Sequence, residues 1–241
     1  MTFPAPRTID PGSVPALRWG ILGTGWIASR FVTALRTRTP QHVMAVAARD
    51  TARAAAFAEA HDLGRTHQTA DALFADEDID VVYIATPHSA HAELALQAIA
   101  SGKHVLIEKP IATSAPEARE IVDAARAAGV LVMEAMWTRY LPQSDILRQL
   151  VANGELGEIH QVTADFGGRS PYDPAGRMWN PALAGGALLD LGVYPVSFAS
   201  SILGTPTRIQ ATGLATQNGI DLRATALLGY ESGADASWRR R

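Results

Sequence analysis

The sequence predicts an α/β chain in two parts: a doubly wound parallel sheet over residues 17–135, then an α+β domain with an antiparallel sheet over 136–241. Three observations carry this. Short β-branched runs alternate with helical runs from Leu17 onward, the signature of a parallel sheet covered by helices. Strands such as Val81 to Ala85 are apolar on both faces, as a doubly covered sheet requires. After about Ala135 strands follow one another with fewer helices between, which favours antiparallel pairing.

Taken in order, residues 1–16 are proline-rich, lack an apolar signal core and read as a disordered tail. LRWGILG is a strand, WIASRFVTALRT a helix, HVMAVAA a strand and TARAAAFAEAH a helix. DVVYIAT, HVLIE and VLVMEA are strands, separated by the helices HAELALQAIASG and PEAREIVDAARAAG. Ser114 with Glu117 forms a capping box, and Gly102 and Gly129 stand where helices stop. In the second part a helix over Pro142 to Ala152 leads to the strand EIHQVTADF, followed by an irregular Gly/Pro-rich stretch from Gly167 to Ala184. GGALLDLGVYPVSFASSILG reads as a buried helix, and RIQATGLAT and DLRATALLGY as two closing strands.

Composition narrows the function classes. A net charge of -3 gives no electrostatic case for nucleic acid or an acidic membrane surface. The absence of cysteine excludes a disulfide framework, a thiolate zinc site and a cysteine nucleophile, and fits a reducing compartment. No run approaches the roughly 18 uninterrupted apolar residues of a membrane helix. A cytoplasmic protein is the expectation.

The motifs then point to a cofactor. Gly23-Thr24-Gly25-Trp26-Ile27-Ala28 fits the G-x-G-x-x-G/A pattern between a strand and a helix. The first glycine allows a tight turn, the second lets backbone approach a pyrophosphate, and the helix N-terminus offers free N–H groups. Glycines that merely turn the chain are the plain alternative. At the end of the second strand, Arg49 and Arg53 are spaced to fork onto a 2′-phosphate, which favours NADP over NAD. Asp50 is either the ribose acid of an NAD site or the N-cap of the next helix.

Loops at the carboxyl ends of parallel strands form the ligand crevice, so Thr86, Pro87 and His88 should border the cofactor. His91 is expected to start a helix and bond near the nicotinamide ribose; the alternative is that both histidines are exposed loop residues. They are spaced like metal ligands, but no third ligand is evident and no metal is expected. Glu108 and Lys109 end a strand at the same edge, and Pro110 restricts Lys109 to an extended conformation. Lys109 could exchange a proton with a substrate oxygen while hydride moves. A solvated strand-end ion pair is the bland reading. Asp190, the sole charge in an apolar run, stands four residues before Tyr194 on one helix face; together they could orient a substrate hydroxyl, or form a core hydrogen-bonding pair.

The combination GILGTGWIA, EKP and GGALLDLGVYP resembles the Gfo/Idh/MocA oxidoreductases, and MEAMWTRYLP narrows the resemblance to the dimeric dihydrodiol dehydrogenase and NADP-dependent D-xylose dehydrogenase branch. The resemblance implies a Rossmann domain followed by an open-faced, mostly antiparallel sheet that forms a dimer surface. It implies that Lys109 is the catalytic lysine, Pro110 a cis proline, and Asp190 the acid of a D-x-G-x-H/Y motif with Tyr194 in the variable place. Trp137 and Phe166 resemble pocket-wall aromatics, although either could equally be a core aromatic. The family pattern continues past the end of this chain, so the second domain is expected to be incomplete at its C-terminus, with an unpaired sheet edge. The expected function is hydride transfer between NADP and a sugar or vicinal diol, by a homodimer if the sheet is complete enough. The rival is an NADP-binding sensor, or an inactive fragment of the same fold.

Overall fold

Six parallel strands and their crossover helices build residues 9–135 in the computed structural model, which describes residues 3–240. The elements are β1 (Arg18–Leu22), α1 (Trp26–Arg38), β2 (His42–Ala47), α2 (Thr51–Ala60), β3 (Arg65–His67), α3 (Ala70–Phe74), β4 (Val81–Ile84), α4 (His91–Ala100), β5 (His104–Ile107), α5 (Ala115–Ala128) and β6 (Val132–Glu134). Strand order is β3-β2-β1-β4-β5-β6, so the direction of winding reverses between β1 and β4. That reversal opens a crevice at the carboxyl edge.

The double covering follows from strand alternation. Val82 and Ile84 join a core with Leu73, Ala95, Ile99 and Ile121 from α3, α4 and α5. Tyr83, between them, points the other way into a core with Ala28, Val32 and Phe57 from α1 and α2. Ile84 and Ile107 are fully buried, each contributing on the order of 1.5–3 kcal/mol. The caps are those the sequence predicts: Ser114 and Glu117 close their reciprocal box, and Gly129 ends α5 in the left-handed region. At the opposite edge of the sheet Asp80 accepts from the backbone and guanidinium of Arg18, and these bonds hold its carboxyl down at about 2.

Two elements of this unit were not expected. β3 and α3 lie in the polar stretch between α2 and β4. β3 is three residues long at the sheet edge and shows no apolar run, because an edge strand buries little.

The second compact unit comprises, among the described residues, 136–240 together with 3–8. It contains α6 (Pro142–Ala152), β7 (Gln161–Asp165), α7 (Val193–Leu203), β8 (Arg208–Ala215), β9 (Asp221–Gly229) and β10 (Asp235–Arg240), with strand order β7-β10-β9-β8. β10 pairs parallel to β7; the other two pairs are antiparallel. Val196, Ala199 and Ile202 of α7 pack on the inner face against Val162, Ala226, Leu228, Ala236 and Trp238. The outer face carries Arg223, Thr225 and Leu227 of β9, opposite Leu214, Thr212 and Gln210 of β8, and is exposed.

Three expectations change here. The chain end, beyond the two strands expected to close the chain, forms β10 in the interior of the sheet; Ala236 and Trp238 alternate inward and supply the period of two that the flanking polar residues mask. Arg241 lies outside the described residues. The apolar run Pro181–Leu203 has the length and apolarity of a membrane span. It is not one continuous α-helix: a 3-10 turn at Pro181–Leu183 and a π turn at Leu188–Gly192 precede α7, which covers the sheet. Residues 3–16, expected as a disordered tail, take a defined path. Arg7 donates from its backbone and guanidinium to Asp145 at 2.7 and 2.9 Å, Gln149 donates to the Ala5 carbonyl, and Asp10 caps a 3-10 turn. The ion pair ties a segment that has no core of its own, a contact invisible to local composition.

Candidate active site

The glycine turn follows β1 directly. Gly23 sits at φ +109, and a Cβ there would meet the Ala85 carbonyl oxygen at 2.5 Å, so the turn requires glycine both for its backbone angle and for its close approach to the segment after β4. Gly25 is the N-cap of α1, and a Cβ there would meet no protein atom within 4 Å. That open approach to the helix N-terminus is what a pyrophosphate site there would need. Thr24 and Ile27 are half-buried around it, and Trp26 is 71% exposed with the Arg30 guanidinium over its ring at 5.2 Å.

Across the switch point, Thr86 and Pro87 follow β4. The Thr86 hydroxyl is buried and has no partner among the described residues, a donor left for a ligand. His88 is buried, and the two histidine rings meet edge to face at 5.8 Å. His91 is fully buried, which corrects the alternative of exposed loop histidines. Its Nδ1 lies 2.7 Å from the Pro110 carbonyl oxygen and its Nε2 3.0 Å from that of Thr86, so both nitrogens face backbone.

Glu108 and Lys109 leave β5 at this edge, both half-buried. The Lys109–Pro110 bond is cis. Tyr83 donates its hydroxyl to Glu108 Oε1 at 2.5 Å, and the other oxygen accepts from the Lys109 backbone N–H at 3.2 Å. Burial and the adjacent carboxylate push the Tyr83 hydroxyl far above its ordinary range, so it stays a donor. Glu134 accepts from the Ile111 N–H at 2.8 Å. The chain contains only two lysines, Lys103 and Lys109. Lys103 is committed to the carbonyls of Asp76 and Ile79.

At the end of β2, Asp50 caps α2 by accepting from the backbones of Ala52 and Arg53. Arg49 and Arg53 are exposed, and among the described residues neither guanidinium makes a hydrogen bond or ion pair. Two uncommitted cations beside a strand end fit a cofactor phosphate. Glycine turn, orphaned Thr86 hydroxyl and arginine pair therefore suit a dinucleotide.

In the second unit Asp190 lies in the π turn, buried, and accepts from Arg177 Nη1 at 2.9 Å. Tyr194 accepts from Trp137 Nε1 at 3.0 Å and packs on Phe166 at 4.9 Å between ring centroids. Trp137 and Phe166 are 53% and 42% exposed, which removes the core-aromatic alternative for both. Phe166 and Tyr194 also line a cleft of about 210 Å³ with Leu147, Phe198 and Ile202. Sequence reasoning missed Tyr83, Glu134 and Arg177 as partners of site residues. Tyr83 is a lone phenol in a strand apolar on both faces and could have been flagged; Arg177 lies in the irregular segment, where spacing gives no face.

Comparison with known proteins accords with this geometry. Residues 17–136 match an oxidoreductase family with an NAD-binding Rossmann fold, and residues 145–239 match the GFO/IDH/MocA C-terminal domain. Trans-1,2-dihydrobenzene-1,2-diol dehydrogenase of Macaca fascicularis is 42% identical over 219 residues, 89% of this chain and 65% of the relative. The chain thus spans just under two thirds of that relative's length. A 3-ketoreductase from Actinomadura kijaniata, solved with NADP and TDP-benzene, superposes with a TM-score of 0.85 at 32% identity, covering 94% of this chain and 70% of the other. An aldose-aldose oxidoreductase from Caulobacter crescentus, complexed with glycerol, gives 0.85 at 26% identity over 93% and 70%. With its glycine turn at the β1/β4 switch point, its Glu-Lys-cis-Pro edge and a four-stranded second sheet, this chain belongs to the Gfo/Idh/MocA family of oxidoreductases.

Proposed function

We propose that the chain is an NADP-dependent oxidoreductase acting on a carbinol or carbonyl carbon of a sugar or vicinal diol. The observation that carries this is the placement of Lys109: it leaves β5 at the same carboxyl edge as the Gly23 turn and Thr86, on a backbone bonded in place. The Gly25 N-cap would receive the pyrophosphate, Arg49 and Arg53 the 2′-phosphate, and Thr86 and Glu108 the nicotinamide half. NADP supplies the hydride acceptor in oxidation and, reduced, the donor in reduction. Lys109 Nζ, as the free amine, takes the substrate hydroxyl proton as the carbon loses hydride and the C=O bond forms. In the reverse direction the ammonium returns it.

The substrate class is inferred from the second unit and from the named relatives. Tyr194, Trp137 and Phe166 present half-exposed aromatic faces suited to the C–H face of a sugar or diol ring. The carboxylate of Asp190, oriented by Arg177, would accept from a substrate hydroxyl. The test follows reduced-cofactor absorbance against a panel of aldoses, ketosugars and vicinal diols in both directions. Turnover of at least one member with NADP is expected. Tight NADP binding without turnover of any member would move the chain to a nucleotide sensor.

The exposed outer face of β8 and β9 is also the surface proposed to pair two copies of the chain. Sedimentation should show a dimer that Leu227→Lys weakens; a monomer at every concentration would remove that surface from assembly.

A further inference from the structure

Three consecutive backbone groups at the end of β5 are each held by a side chain: the Lys109 N–H by Glu108, the Pro110 carbonyl by His91 and the Ile111 N–H by Glu134. His91 also reaches a second loop, through the Thr86 carbonyl. Its ring is fully buried at the start of α4, a site where a solvated side chain would gain nothing and an unbonded imidazole would be costly. A carbonyl oxygen only accepts, so a ring with one N–H bonds one of the two loops and a doubly protonated ring bonds both. The contact to Pro110 is the shorter, 2.7 against 3.0 Å.

We propose that His91 is the positioning residue for Lys109: its Nδ1–H holds the Pro110 carbonyl and thereby aims the lysine side chain. The inference rests on the reading of Lys109 as the proton carrier. His91 touches neither substrate nor reacting atoms; it acts through the backbone that carries the lysine. A shift of about 1 Å in an acid/base group costs on the order of 10²-fold in rate, so a single bond at Pro110 has kinetic weight.

Two substitutions separate the ring's two edges. Asparagine places its amide where Nδ1 stands, and glutamine where Nε2 stands. His91→Asn, which keeps a donor at the Nδ1 place, should keep kcat within about threefold. His91→Gln should keep NADP affinity and lower kcat by about 10–100-fold. Equal loss of kcat in both variants, or loss in neither, would overturn the assignment.

A measurement on the unaltered protein decides the matter if either variant fails to fold. Long-range ¹H–¹⁵N spectra, with His91 assigned through its backbone, should show a hydrogen on Nδ1 with and without NADP. An unprotonated Nδ1 would sink the proposal outright. Because this spectrum is read without turnover, failure to find a substrate would count against the proposed activity alone and leave the test of His91 standing.

Discussion

Lys109→Met should lower kcat by about 10²–10⁴, the range set by loss of a general acid or base, while NADP affinity stays within about tenfold. Methionine keeps an unbranched stem of similar length and removes only the ammonium, so packing at the end of β5 is preserved. The other lysine cannot substitute, because Lys103 precedes the strand at its opposite end and is bonded to the Asp76 and Ile79 carbonyls. The split between kcat and cofactor binding is the informative part. The cofactor is assigned to the glycine turn, the arginine pair, Thr86 and Glu108, none of which the substitution alters. Stopped-flow turnover with fluorescence titration of NADPH reads both quantities. An unchanged rate would remove Lys109 from the chemistry.

Arg49→Ala should weaken NADP by about 10–100-fold, the worth of a lost charge-assisted phosphate contact, and change NAD affinity less than threefold. The arrangement at the end of β2 makes this a discriminating comparison. Asp50 spends one carboxylate oxygen on the N–H groups of Ala52 and Arg53, so its part in the fold is a helix cap. Arg49 and Arg53 flank it with exposed guanidinium groups. Arg53→Ala should show the same bias, and the pair together a larger one. Equal losses for the two cofactors would return Asp50 to the role of ribose acceptor, binding NAD through its second oxygen.

The legible parts of this chain are those where local chemistry and tertiary packing agree. β4 and β5 are apolar runs that end in loops with functional residues, and both are buried on two faces. The capping box at Ser114 and the stop at Gly129 are local hydrogen-bonding decisions and survive unchanged. The glycine turn is legible for the same reason, since Gly23 cannot be replaced at its backbone angle and spacing. What the sequence concealed depends on distant partners. β10 looks polar because only Ala236 and Trp238 face the core, and its identity comes from pairing with β7 and β9. Arg7 has no reason to be ordered until Asp145 is in place. Within the site, the residues themselves were visible, but not the contacts that aim them. The Asp190–Tyr194 spacing suggested one cooperating pair, and it gave no sign of Arg177 bonded to Asp190 or Trp137 bonded to Tyr194. A π turn at Leu188–Gly192 sits where a regular helix was assumed, so the four-residue rule loses its force there.

A crystal structure of the chain with NADP bound measures the central claim most directly. Hydride and proton leave adjacent atoms of one carbinol, so the account predicts Lys109 Nζ within about 5 Å of the nicotinamide C4, room for one substrate C–O unit between near-attack contacts. A Lys109 side chain turned to bulk solvent, with the nicotinamide ring lying against some other part of the β4 and β5 edge, would contradict it.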